Sequence, residues 1–152
     1  MSQAPVIVWF RNDLRLADHP ALRAAVEADG PVLAVYVLDE AAAGTWRPGG
    51  ASRWWLHHSL ARLGESLAAK GCPFVLRRGD TLDIIPSLAA DVGAETVTCS
   101  RAFEPWSRQL EEALNQRLGE SGRRLRRFSG TLLHDPDHLL TKSGGPASRH
   151  TR

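Results

Sequence analysis

The stretch "VIVWFRNDLRLADHPAL", residues 6–22, decides how the rest of the chain is read. It opens with five apolar residues, the signature of a strand covered on both faces. It closes on Pro20 in the first turn of a helix, with Asp18 as the expected N-cap and Leu22 and Val26 on one face of a helix running to Ala28. Between the two, Arg11, Asn12, Asp13, Arg15 and Asp18 crowd into eight positions. A plain strand-to-helix turn needs one cap and a glycine. This turn therefore either meets something polar or ties two layers of the fold together by ion pairs, and both readings stay open at this point.

Outward from that stretch, apolar runs and helical periods alternate. Strands are expected at 5–10, 32–38, 72–80, 94–100 and 123–130, the last flanked by arginines as suits a sheet edge. Helices are expected at 52–70, where Leu56, Leu60, Leu63 and Leu67 form a stripe, at 81–93, with a kink or a late start at Pro86, and at 104–122, opened by Pro105. Five short strands alternating with helices predict an α/β fold, a doubly wound, Rossmann-like parallel sheet of order 3-2-1-4-5 with right-handed crossovers. Periodicity stops after Leu133. Residues 1–133 are thus expected to form the α/β domain, and 134–152 a polar, linker-like tail.

Composition bounds the function classes. The 152 residues are 43% hydrophobic and 24% charged, near globular averages, and a net charge of +2 gives no case for nucleic acid on its own. Arginine supplies all but two of the basic residues, Lys70 and Lys142. Arg123, Arg124, Arg126 and Arg127 form either a basic patch or edge-strand protection. Cys72 and Cys99 lie far apart and outside any CxxC pair, so reduced thiols and a cytoplasmic location are expected. No apolar run reaches the length of a membrane span. No GxGxxG, GxxxxGK[ST] or GxSxG occurs, which argues against dinucleotide, P-loop and serine-hydrolase sites. His57 and His58 face different sides of one helix, and His134 and His138 read as a solvated loop before a metal site.

In an open parallel sheet, ligands bind beyond the carboxyl ends of the strands where the strand order reverses. For order 3-2-1-4-5 that point lies between the first and fourth strands. Its expected walls are Arg11, Asn12 and Asp13, then Leu38 and Asp39, then Ser100, Arg101 and Glu104. Arg53 and Trp54 of the long helix overhang it, Trp54 either lining a cleft or simply exposed. Arg11, Asp39 and Glu104 are expected to share one rim, suited to a flat, partly polar small molecule.

These residues converge on a family. "VIVWFRNDLRLADHPAL" closely resembles the WFRxDLRxxDNPAL pattern of DNA photolyases and cryptochromes, with His19 in place of asparagine. "SRAFEP" (100–105) is similar to their N-R-x-Y-E-P stretch, with Ser100 for asparagine and Phe103 for tyrosine, and "HDPDHLLTKSGGP" (134–146) looks like the start of their interdomain connection. The resemblance implies the N-terminal domain that holds a light-gathering antenna chromophore: 8-hydroxydeazaflavin, methenyltetrahydrofolate or FMN. The catalytic FAD of this blue-light-driven pyrimidine-dimer repair enzyme, a deoxyribodipyrimidine photo-lyase, belongs to a helical domain further on. After "TKSGGP" the family continues into an aromatic segment, where this chain reads "ASRHTR". The expectation is a chromophore-binding module without repair turnover of its own, meeting damaged DNA only through the helical domain and self-associating through an exposed face. The other class considered is an independent nucleotide-binding or stress-type α/β protein.

Overall fold

A computed structural model describes residues 3–130, so the domain boundary expected at 133 and the residues beyond it, His134 and His138 included, lie outside the described residues. The elements are β1 (Val6–Phe10), α1 (Pro20–Val26), β2 (Val32–Leu38), a single 3-10 turn (Gly44–Trp46), α2 (Gly50–Ala68), β3 (Phe74–Arg78), α3 (Thr81–Val92), β4 (Thr96–Ser100), α4 (Pro105–Gly119) and β5 (Arg124–Phe128). The five strands form one parallel sheet in the order β3-β2-β1-β4-β5, as the alternation predicts. The chain reverses its direction of travel across the sheet between β1 and β4.

The sheet's two faces carry separate cores because side chains alternate along each strand. Ile7 and Trp9 join Val35, Ile85, Val97, Leu114 and Leu118 under α3 and α4, while Val6, Val8 and Phe10 join Ala25, Leu63 and Leu67 under α1 and α2. Every residue of β1 and β4 is buried, so these two strands are the axis of the molecule.

Three local expectations change. Asp18 does not cap α1. Its backbone turns through the left-handed region at φ 49°, and the cap is His19, whose Nδ1 accepts from Leu22 N at 3.1 Å. α1 also ends at Val26, short of Ala28. α3 has no late start: Asp80 caps it, accepting from Leu82 N at 2.8 Å, and the helix runs on through Pro86.

The leucine stripe of α2 is buried only at Leu63 and Leu67, and Leu56 and Leu60 remain half-exposed. The helix closes on β3 only near the strand's first residue: Leu76, on the same strand face as Phe74, is 51% exposed. Gly64 lies abreast of Phe74, the first residue of β3, since a Cβ at Gly64 would stand 3.4 Å from the Phe74 ring. From there α2 runs back about 21 Å to Gly50, while β3 extends only about 13 Å to Arg78. Gly50 therefore projects about 8 Å past the carboxyl ends of the strands and Trp54 about 2 Å, while Leu56 and Leu60 lie abreast of β3.

Replacing Leu67, 2% exposed, by alanine is expected to cost about 2–5 kcal/mol. Leu56→Ala is expected to cost less than about 1 kcal/mol. Urea unfolding of the two variants side by side checks the difference.

Candidate functional site

The β1–α1 turn is built around a buried carboxylate. Asp13 is 3% exposed. Its Oδ1 accepts from Arg11 N at 2.9 Å, and its Oδ2 accepts from Ser100 Oγ at 2.5 Å and lies 2.6 Å from His19 Nε2. The imidazole thus uses both nitrogens, one to cap α1 and one to face Asp13. Burial alone would raise the Asp13 pKa. The hydrogen bonds from His19, Ser100 and the Arg11 backbone outweigh it and hold the carboxyl far below its ordinary 3.8.

Arg11 points away from the rim and into the fold. Its guanidinium donates to Ser107 Oγ at 3.0 Å, to the Ser100 carbonyl and to Glu111 Oε1 at 2.5 Å, and it lies 4.3 Å from the centre of the Trp9 ring. Glu111 is 1% exposed. It also accepts from Ala102 N at 2.7 Å and has Arg127 Nη1 at 3.6 Å from its other oxygen. Arg11, Asp13 and Ser100 are therefore brought together, and what they bind is one another, α4 and the α1 cap. Of the two readings of the turn, the tie between layers is what the side chains form.

The other expected site residues divide. Asp39 joins the end of β2 to α3: it accepts from Ala42 N at 3.0 Å and Thr81 N at 2.9 Å. Those bonds outweigh its partial burial and lower its pKa. Leu38 is half-buried, and Asn12 and Glu104 are exposed. Glu104 stands at the N-cap of α4 without a capping bond from its side chain. Arg101 donates its backbone N–H to Phe128 O at 2.8 Å and holds its guanidinium 5.8 Å from the Phe103 ring. Arg11, Asp39 and Glu104 do sit at or just past adjacent strand ends, but the first two aim their polar atoms inward. Arg53 bonds Glu40 at 3.1 Å, and Arg78 at the end of β3 reaches the same carboxylate at 2.7 Å. That shared carboxylate clasps the overhanging start of α2 to the sheet.

What this edge presents outward is aromatic. Trp54 and Trp55 are 57% and 67% exposed. Their rings meet edge to face at 5.4 Å, and His58 lies 4.3 Å from Trp54. The start of α2 thus carries a ledge of ring faces at the carboxyl ends. Such faces fit a planar, fused-ring group by stacking, whereas the buried set around Asp13 has its donors and acceptors already matched. Among the described residues no group of three metal-ligating side chains occurs, and no helix is long and apolar enough to cross a membrane.

Glu111 and His19 are the residues that the sequence reading missed. The signal was present for Glu111: Ser107, Glu111, Leu114 and Leu118 follow a 4, 3, 4 spacing, and all four are buried on α4. A glutamate on an apolar stripe needs a cationic partner, and Arg11 and Arg127 supply it.

The model of the family described as DNA photolyase matches residues 6–152. The chain belongs to the DNA photolyase family. It is 48% identical over 151 residues to a deoxyribodipyrimidine photo-lyase from Agrobacterium fabrum, covering 99% of this chain and 31% of that one. It is 37% identical over 143 residues to cryptochrome-1 of Arabidopsis thaliana, covering 93% and 21%. Its fold matches that of a solved bacterial class III photolyase from Agrobacterium tumefaciens with a TM-score of 0.88 at 50% identity, over 96% of this chain and 30% of that one. A cryptochrome from Synechocystis gives 0.80 at 30% identity, over 90% and 30%. The chain thus spans about a third or less of the length of these relatives, and family membership favours the first of the two function classes weighed from the sequence.

Asp13 has a depressed pKa in the folded protein, so its contribution to stability is complete above the ordinary carboxylate value and is lost as pH falls below about 4 toward its folded value. Asp13→Asn is expected to cost about 3 kcal/mol at neutral pH and to flatten the acid limb of the stability curve. Urea midpoints measured from neutral pH down to about pH 2 test both.

Proposed function

We propose that this chain is the antenna-chromophore-binding α/β portion of a photolyase or cryptochrome, and that a planar pigment stacks on the Trp54 ledge at the carboxyl ends of the strands. The family binds flavin and folate-type chromophores. The observation that carries the reading is the pair of exposed indoles on the overhang of α2, at the side of the sheet where doubly wound folds take their ligands. The pigment, when bound, supplies absorption of light. The chain supplies a stacking face in Trp54, held at a defined height by the Arg53–Glu40–Arg78 clasp. The β1–α1 turn at the same end of the sheet has its polar groups matched by Asp13 and Glu111.

On this reading the excitation leaves for a flavin held elsewhere. Dimer repair is then the work of a flavin-binding portion such as the two thirds of the relatives that this chain does not match. The chain by itself binds pigment and does not turn over substrate. 8-Hydroxydeazaflavin, methenyltetrahydrofolate and FMN all present a fused ring system, so all three are admissible to a stacking face, and titration ranks them.

The test is absorbance and fluorescence titration of the 152-residue chain with each pigment. At least one is expected to bind and to quench tryptophan emission, with Trp54→Ala weakening it about tenfold, as loss of one ring-stacking contact implies. Absence of binding for all three, or micromolar binding of ATP in their place, overturns the proposal.

A further inference from the structure

β5 is an edge strand, paired only with β4 among the described residues. Its alternation puts Leu125 and Arg127 on the face toward α4, where Leu125 is buried and Arg127 meets Glu111. Arg124, Arg126 and Phe128 take the opposite face. There the Arg124 Nε donates to Thr96 Oγ1 at 3.1 Å, and the Arg126 guanidinium stands 5.1 Å from the Phe128 ring. Beyond the strand's end, Arg15 comes across from the β1–α1 turn and donates to Gly130 O at 2.9 Å. Three exposed guanidiniums are thus set along one edge.

Several arginines elsewhere meet carboxylates, while Arg77 and Arg123 bond only carbonyls among the described residues. Arg11 and Arg127 pair with Glu111, Arg23 with Glu27, Arg53 and Arg78 with Glu40, and Arg117 with Asp83. Among the described residues, Arg15, Arg124 and Arg126 pair with no carboxylate. They are braced by carbonyls, a hydroxyl and a ring, which orient a guanidinium without neutralising it. Arg124 offers the protein one of its five N–H donors. Protection of an edge from strand pairing needs charge of either sign, and lysine serves it well. A row of one sign, all arginine and free of carboxylates, is instead what forked recognition of phosphate calls for.

We propose that this edge docks the sugar–phosphate backbone of a nucleic acid, without regard to base sequence, through Arg124, Arg126 and Arg15. The contact is independent of the Trp54 ledge, and it departs from the expectation that the α/β portion meets DNA only through another domain.

The experiment is fluorescence anisotropy of the 152-residue chain with a labelled DNA duplex and with its single strand, across about 50 to 200 mM salt. Three phosphate contacts predict that duplex affinity falls about 40-fold over that range, with a shallower slope for the single strand. The double variant Arg124→Gln, Arg126→Gln is expected to make the duplex slope shallower by about two. The double variant Arg124→Lys, Arg126→Lys keeps the parent slope, which separates charge from folding, and circular dichroism establishes that both variants are folded. An unchanged slope in the glutamine variant, no binding by the parent chain, or binding to anionic phosphatidylserine vesicles in place of DNA overturns the proposal.

Discussion

Two buried carboxylates, Asp13 and Glu111, hold the carboxyl end of the sheet together, and Arg11 connects them. Its backbone N–H is bonded to one and its guanidinium to the other. A carboxylate at 1–3% exposure is tolerable only when its lone pairs are matched. Asp13 is matched by Arg11 N and Ser100 Oγ, with His19 alongside, and Glu111 by Arg11, Ala102 N and Arg127. Those partners come from the turn after β1, from β4, β5, the start of α1 and the loop before α4. No hydrophobic contact could fix so many elements in one register, because apolar packing is non-directional. The charges do not make the core; they join the strand ends to the turn, the loop and the helix around them.

This explains why the fold was legible in the sequence and the site only partly. Strand order follows from buried apolar runs such as "VIVWF" and "TVTCS" alternating with helical periods, and those patterns depend on burial alone. The roles of polar residues depend on side-chain direction. Arg11 lies one residue past β1 and keeps the alternation of Ile7 and Trp9, so it faces α4 instead of open solvent. That parity was readable, but its consequence required knowing that Glu111 sits opposite. His19 was misread for a different reason. Asp18 is the commoner cap by type, and only the left-handed turn at Asp18 hands the role to the next residue, whose ring is long enough to cap α1 and reach Asp13 together.

The half-exposed stripe of α2 carries a similar lesson. A 4, 3, 4 leucine spacing marks a helix face, yet it does not say how closely the sheet beneath approaches. Leu76, on the face of β3 that carries Phe74, is 51% exposed, so the first half of the 19-residue helix is not closed over the strand. The result is an exposed segment whose aromatic residues, Trp54, Trp55 and His58, contact one another in place of a core. The clasp through Glu40 keeps that segment from swinging: one carboxylate bonds both the helix and the neighbouring strand end. Individually such exposed pairs contribute little. Their value is directional, since they set where the indoles stand.

The same reasoning separates two uses of arginine in this chain. At Glu111 and Glu40 a carboxylate meets guanidiniums from two different elements. On the outer face of β5 the guanidiniums are held by Thr96 and by the Phe128 ring. A neutral brace costs the cation little of its hydration and leaves its field intact at the surface, so charge there acts on what lies outside the molecule and not on the fold. The protein therefore presents two different edges: at the carboxyl ends, exposed rings beside a turn whose charges are already matched, and along β5, cations that pair with no carboxylate among the described residues.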